Sequence, residues 1–197
     1  MGFIDLIKNH KKELTTTFIV SSLSASAFYM TFIYMPTVLS ALLNLHTHQQ
    51  AVLITLITLT FYLVALPMAG ILADKIGIVR QIKIASFFYL LFAYVCFAVL
   101  AKLNIINCII VLTLFAIIQA LLNSALPAFM IAQFHPNQRG KALAISYNIS
   151  LTIFSGLMPY LILTSGSYIN PGLPISVCAI LSLLVTHFIK VKNHGYL

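Results

Sequence analysis

Between Glu13 and Asp74 not one residue carries a formal charge, and most of that run is aliphatic or aromatic. Nothing else in the chain limits its fold as much. A soluble domain carries about a quarter of its residues as Asp, Glu, Lys or Arg, whereas this chain of 197 residues carries 7%, with 61% hydrophobic. The apolar runs are long enough to cross ~30 Å of hydrocarbon as helices. A polytopic all-α membrane protein follows. The formal charge of +8 does not point to nucleic acid, because the bases lie between apolar spans and not on one soluble face.

The spans read as Leu14 to Leu43, Ala51 to Ala73, Ile82 to Ala101, Ile105 to Ala132, Ala142 to Ser165 and Leu173 to Ile189, six transmembrane helices in all. Pro36 marks a break near the end of the first, and Pro127 lies near the end of the fourth. Residues 1–13 read as a cytoplasmic interfacial segment on an anionic leaflet, 14–189 as the half-bundle and 190–197 as a cytoplasmic tail. Lys8, Lys11, Lys12, Lys75, Arg80, Lys83, Arg139, Lys141, Lys190 and Lys192 fall on one side of these spans and only Lys102 on the other. The positive-inside rule therefore places both termini in the cytoplasm. No cleavable signal peptide and no myristoylation signal is expected at the start.

Polar side chains inside the spans are the functional candidates, since hydrocarbon penalises them unless they face protein or water. Tyr29 and Tyr34 stand in the first span, Tyr62 in the second, Gln119 and Asn123 in the fourth, Tyr147 and Asn148 in the fifth. Gln119 and Asn123 are one turn apart and serve either as glue between helices or as solute contacts. Spans three and six are poorer, with Tyr89, Tyr94, Ser176 and Ser182 easily hidden or tolerated by lipid. Spans one, two, four and five are thus expected to line a cavity, with three and six facing lipid.

Catalytic chemistry has no foothold. There is no Ser/His/Asp, Cys/His or paired-carboxylate arrangement, so an enzyme is not expected. His46 and His48 lack a third ligand nearby, and Cys96, Cys108 and Cys178 show no metal-binding spacing, so no metal or cofactor is expected. The three acids, Asp5, Glu13 and Asp74, all lie near the cytoplasmic surface, leaving no carboxylate at mid-membrane depth to relay a proton.

One short stretch carries charge between spans two and three: Gly70, Asp74, Lys75, Gly77 and Arg80. Glycine suits a tight turn there, and the carboxylate suits the cap of a helix N-terminus. The spacing of Gly, three residues, Asp, a base, one residue and Gly resembles the loop signature of the major facilitator superfamily, with Ile78 and Val79 where further bases are usual. A second stretch narrows the likeness. Arg139, Tyr147-Asn148, Ile153-Phe154, Gly156 and Pro159 resemble the entry into the eleventh helix of metabolite:proton symporters, the proline/betaine transporter-like group. Ser155 replaces that group's usual second Gly. Phe28-Tyr29, Tyr34 and Pro36-Thr37 resemble its seventh helix.

The resemblance implies the carboxyl-terminal six-helix half of such a carrier in a bacterial inner membrane. Its solute would be a compatible solute such as proline or betaine, or a small organic acid, moved with a proton. Asp74 would clamp a helix of the other half, Gly156 would allow close helix packing, Pro159 would let the fifth helix bend, and Arg139 would meet a carboxylate or a helix C-terminus. The partner would be a separate amino-terminal six-helix half or a second copy forming a pseudo twelve-helix carrier. A non-transporting remnant of a split or decaying gene is the competing reading.

Overall fold

The computed structural model describes residues 9–35, 48–100, 105–157, 160 and 172–188. Among them the chain is helical, with no strand. Helix α1 spans Lys11–Tyr29, α2 His48–Ile76, α3 Ile78–Leu100, α4 Ile105–Ala132, α5 Arg139–Leu151 and α6 Gly172–Phe188. Among the described residues four helical stretches are long and apolar enough to cross a membrane: Lys11–Tyr34, Val52–Ile76, Ile78–Ala98 and Ile106–Ala132. Lys11, Lys12 and Glu13 form the first turn of α1 itself, continuous with the apolar run.

Helix α1 is the axis of the bundle. Thr16, Thr17, Ser21, Ser22, Ser24 and Ser26 are all buried, so its packed faces are made of small hydroxyl side chains. Small residues let helices approach closely where hydrocarbon offers no hydrophobic drive between them. Most of these hydroxyls satisfy themselves on their own helix: Thr16 donates to Lys12 O at 2.7 Å and Ser21 to Thr17 O at 2.5 Å. Helices α4, α5 and α6 pack around α1, α2 lies along α4, and α3 lies against α4 and α6. The outward faces of α3 and α6 are apolar, with Phe87, Phe88, Leu91 and Val95 exposed on one and Val177, Ile180, Leu181 and Leu184 on the other.

The turn between α2 and α3 is tighter than the charged stretch suggests. It consists of Gly77 alone, with φ +91°. Gly77 N–H donates to Ala73 O at 2.9 Å, and Gln81 N–H donates to Gly77 O at 3.0 Å, so one helix closes as the next begins. Asp74 and Lys75 consequently sit in the last turn of α2 and Arg80 in the first turn of α3, all three exposed. The carboxylate therefore caps no helix N-terminus, because Asp74 is still inside the helix that is ending. Gly70 also lies within α2, where an added Cβ would meet nothing within 4 Å. Substitution Gly77→Ala is expected to cost about 1–2 kcal/mol, since an L side chain resists positive φ; unfolding in detergent measures it, and no loss would remove the turn from the account.

Two helices leave α-geometry just before a proline in the sequence. Helix α1 continues as a π-turn over Met30–Tyr34, where Met35 N–H donates to Met30 O, and Pro36 follows. Helix α5 continues as a π-turn over Thr152–Leu157, with Pro159 two residues beyond. A proline has no N–H and its ring crowds the carbonyl four residues back, which favours a wider turn ahead of it. Pro36 and Pro159 themselves lie outside the described residues. By contrast Pro67 and Pro127 sit inside α2 and α4, which run on past them.

Candidate functional site

One chain of polar contacts ties four helices together at mid-bundle. Tyr89 OH on α3 donates to Gln119 Oε1 on α4. Gln119 Nε2 donates to Ser24 O on α1 at 3.1 Å, and Ser24 Oγ donates to Asn123 Oδ1, back on α4. Asn123 Nδ2 then donates to Tyr62 OH on α2 at 2.9 Å. Gln119 and Asn123 share a face because four residues make about one turn. Gln119 and Tyr89 are completely buried, so both lie between helices.

At the Tyr62 end the chain opens into a cavity of about 410 Å3 between α2, α4 and α5. Tyr62, Asn123 and Tyr147 supply its polar groups, and Leu126, Met130 and Leu143 are among its apolar walls. No lining residue is charged. Behind Tyr62 stand Phe28 and Phe32 of α1, with ring centroids 6.1 and 5.3 Å from the Tyr62 ring. The aromatic wall is therefore held from two helices. A net-neutral molecule fits such a lining better than an anion or cation does, because nothing in it balances an unpaired charge.

Of the span residues singled out in the sequence, the structure brings Tyr62, Asn123 and Tyr147 together at the cavity and leaves the rest elsewhere. Tyr29 and Tyr34 are half-buried and packed on the core of the bundle. Asn148 is exposed on α5 and lies outside the cavity lining; its neighbour Tyr147 is the lining residue, since adjacent helical positions differ by about 100°. Arg139 Nε donates to Phe134 O, just beyond the end of α4, at 3.1 Å. Gly156 is exposed, and a Cβ there would meet nothing within 4 Å, so it is not a point of close packing inside this bundle. The close approach is at Gly172 instead, where an added Cβ would overlap the backbone of Ala93 and Tyr94.

Two polar residues in α3 matter more than their sequence context suggests. Tyr89, which reads as lipid-tolerant, is a fully buried donor. Gln81, which reads as part of the loop when span three is started at Ile82, is equally buried. Its Nε2 lies within hydrogen-bond distance of Ala69 O, Leu121 O and Ser124 Oγ at 2.9, 2.9 and 2.8 Å, joining α2, α3 and α4 close to the Gly77 turn. Ser86 and Ser182 meet at 2.9 Å between α3 and α6. The signal at Tyr89 is a phenol in an otherwise apolar run; Gln81, between Arg80 and Lys83, gives none. Among the described residues no three His, Cys, Asp or Glu side chains are grouped to hold a metal.

Apolar helices packed on one hydroxyl-rich axis, with chains of polar contacts between them and an uncharged cavity at one end of the longest chain, are the build of a multi-pass membrane protein. The chain belongs to the Major Facilitator Superfamily, whose sequence profile matches residues 17–195. This is a family of transporters and not of enzymes. The chain is 25% identical over 199 residues to a putative proline/betaine transporter of Staphylococcus aureus strain N315, covering 99% of this chain and 42% of that protein. It is 28% identical over 195 residues to the glycine betaine/proline/ectoine/pipecolic acid transporter OusA of Dickeya dadantii, covering 96% and 38%. With the ectoine/proline transporter ProP of Corynebacterium glutamicum it shares 28% over 181 residues, covering 88% and 35%. The chain thus spans well under half the length of these relatives. No solved structure matches it significantly.

Proposed function

We propose that this chain is the carboxyl-terminal, six-span half of a proton-coupled secondary transporter for a zwitterionic compatible solute such as proline or betaine. The observation that carries the reading is the neutral cavity at Tyr62, Asn123 and Tyr147, in a chain whose relatives bear the names of proline and betaine transporters. Aromatic faces attract a substituted ammonium, and the amide and phenols can donate to a carboxylate. A dicarboxylate would require a base, and the lining has none.

Transport in this reading needs an amino-terminal half. The two halves rock about a site between them, with the half supplied by the partner carrying the proton relay, since this chain places no acid at mid-membrane depth. Asp74, exposed and without an ion pair among the described residues, is positioned to bind a helix of that half. The exposed face of α5 at Asn148 and Gly156 is a surface for the same partner. Both termini lie in the cytoplasm.

Co-expression with a six-helix amino-terminal half, in cells lacking their own uptake systems for these solutes, tests the reading directly. Uptake of labelled proline or betaine is expected. If proline, betaine and dicarboxylates all fail to enter, with or without that half and with or without a second copy, the chain is a non-transporting remnant. In an active pair, Tyr147→Ala is expected to raise the apparent KM about 3- to 30-fold, the range of a cation–π contact. Tyr147→Phe keeps the ring and should stay near the parent value; an unchanged KM in the alanine variant would remove Tyr147 from the site.

A further inference from the structure

A second concavity, of about 560 Å3, lies at the other face of α1, between its first turns and the last turn of α6. Its walls differ in chemistry. Lys11, Lys12 and Thr15 form one side, and Leu184, Val185 and Phe188 form the other. Lys11 and Lys12 stand four and three residues from Thr15, so all three share one helix face. Both lysines and Thr15 are exposed. Neither ammonium has an ion-pair partner among the described residues, while the adjacent acid, Glu13, lies 4.0 Å from His10 Nδ1. Phe188 is 81% exposed and Leu184 52%.

The position matches the two chemistries. After Glu13 the chain carries no charge for the rest of α1, so Lys11 and Lys12 mark the boundary between water and hydrocarbon, and the apolar residues of α6 line the same concavity. A free anion would use the lysines and leave the apolar wall wet. A neutral lipid would cover the apolar wall and leave two ammoniums without counter-charge. We infer that this groove binds one anionic phospholipid, its phosphodiester at Lys11, Lys12 and Thr15 and the upper part of an acyl chain along Leu184, Val185 and Phe188. Thr16 takes no part as a donor, because its hydroxyl is committed to Lys12 O. The site is separate from the solute cavity and does not depend on transport by this chain.

The test is native mass spectrometry of the full chain released from micelles holding equal amounts of phosphatidylglycerol and phosphatidylcholine. Each lysine near an anionic headgroup contributes about a fivefold preference, so the pair gives about 30-fold retention of phosphatidylglycerol. The double variant Lys11→Gln/Lys12→Gln, altered only at exposed positions, should fall towards parity. Val185→Trp fills the groove and should lose retained lipid of both kinds, with unfolding in detergent confirming that each variant is folded. Equal retention of the two lipids by the parent chain overturns the proposal, as does an unchanged preference in the double lysine variant. Displacement by millimolar inorganic phosphate would make the feature a plain anion site, and lipid loss coupled to dimer formation would assign the groove to a second copy; either also overturns it.

Discussion

Replacing Gln119 by leucine is expected to destabilise the bundle by about 1–3 kcal/mol, the cost of leaving buried polar groups unmade. The side chain accepts from Tyr89 OH and donates to Ser24 O, and both Gln119 and Tyr89 are completely buried. Leucine fills a comparable volume, so the loss comes from hydrogen bonding and not from a cavity. Water cannot reach the stranded Tyr89 hydroxyl to compensate. The effect is measured by unfolding the purified chain in detergent. A double-mutant cycle with Tyr89→Phe isolates the pair; coupling in membrane bundles averages about 0.6 kcal/mol and reaches about 1.7. Destabilisation of Gln119→Leu below about 0.5 kcal/mol would show that the network does not hold the helices together.

Among the described glycines, Gly172→Val is expected to be the most damaging change, at about 3 kcal/mol, the upper range for overpacking. An added Cβ at Gly172 would overlap the backbone of Ala93 and Tyr94, which cannot swing aside as a flexible side chain can. Helix α6 would have to move off α3, disturbing the Ser86–Ser182 contact between them. Gly156→Ala supplies the contrast, because the space around that position is open. It should leave unfolding of the isolated chain within about 0.5 kcal/mol of the parent. If the α5 face meets a partner half, the same change lowers uptake in the assembled carrier while leaving chain stability alone. Equal stability losses at the two glycines would contradict the packing described for both.

The contrast between these two glycines also separates what could be read in the chain from what could not. Gly156 stands in a recognisable motif, and its residue type alone suggests close packing. Gly172 stands in no motif, yet among the described glycines it is the one against a neighbouring backbone. Residue type states what a position permits; the neighbour that makes use of it comes from another helix. Gln119 shows the same limit. An amide in an apolar helix requires partners, but only the register of α1 and α3 against α4 makes those partners Ser24 and Tyr89.

The one-residue turn at Gly77 shows how far charge can mislead about boundaries. Asp74, Lys75 and Arg80 look like loop because charge is costly in hydrocarbon, yet helices project beyond the membrane, and their exposed last and first turns accept charge freely. The preference for positive φ at a glycine was visible in the residue; its use at Gly77 and not at Gly70 was decided by the backbone bonds to Ala73 O and from Gln81 N–H.

Hydropathy by itself determined that this chain is a helical membrane protein, because long uncharged runs have no other way to satisfy their backbone in lipid. Motif spacing determined its family, since the stretch from Gly70 to Gly77 and the run from Arg139 to Pro159 are local patterns. The tertiary structure alone decided which polar groups face the cavity and which are consumed between helices. That choice depends on the rotation and depth of each helix against its neighbours: a turn of about 100° separates Tyr147 at the cavity from Asn148 outside it, and no one-dimensional pattern carries that angle.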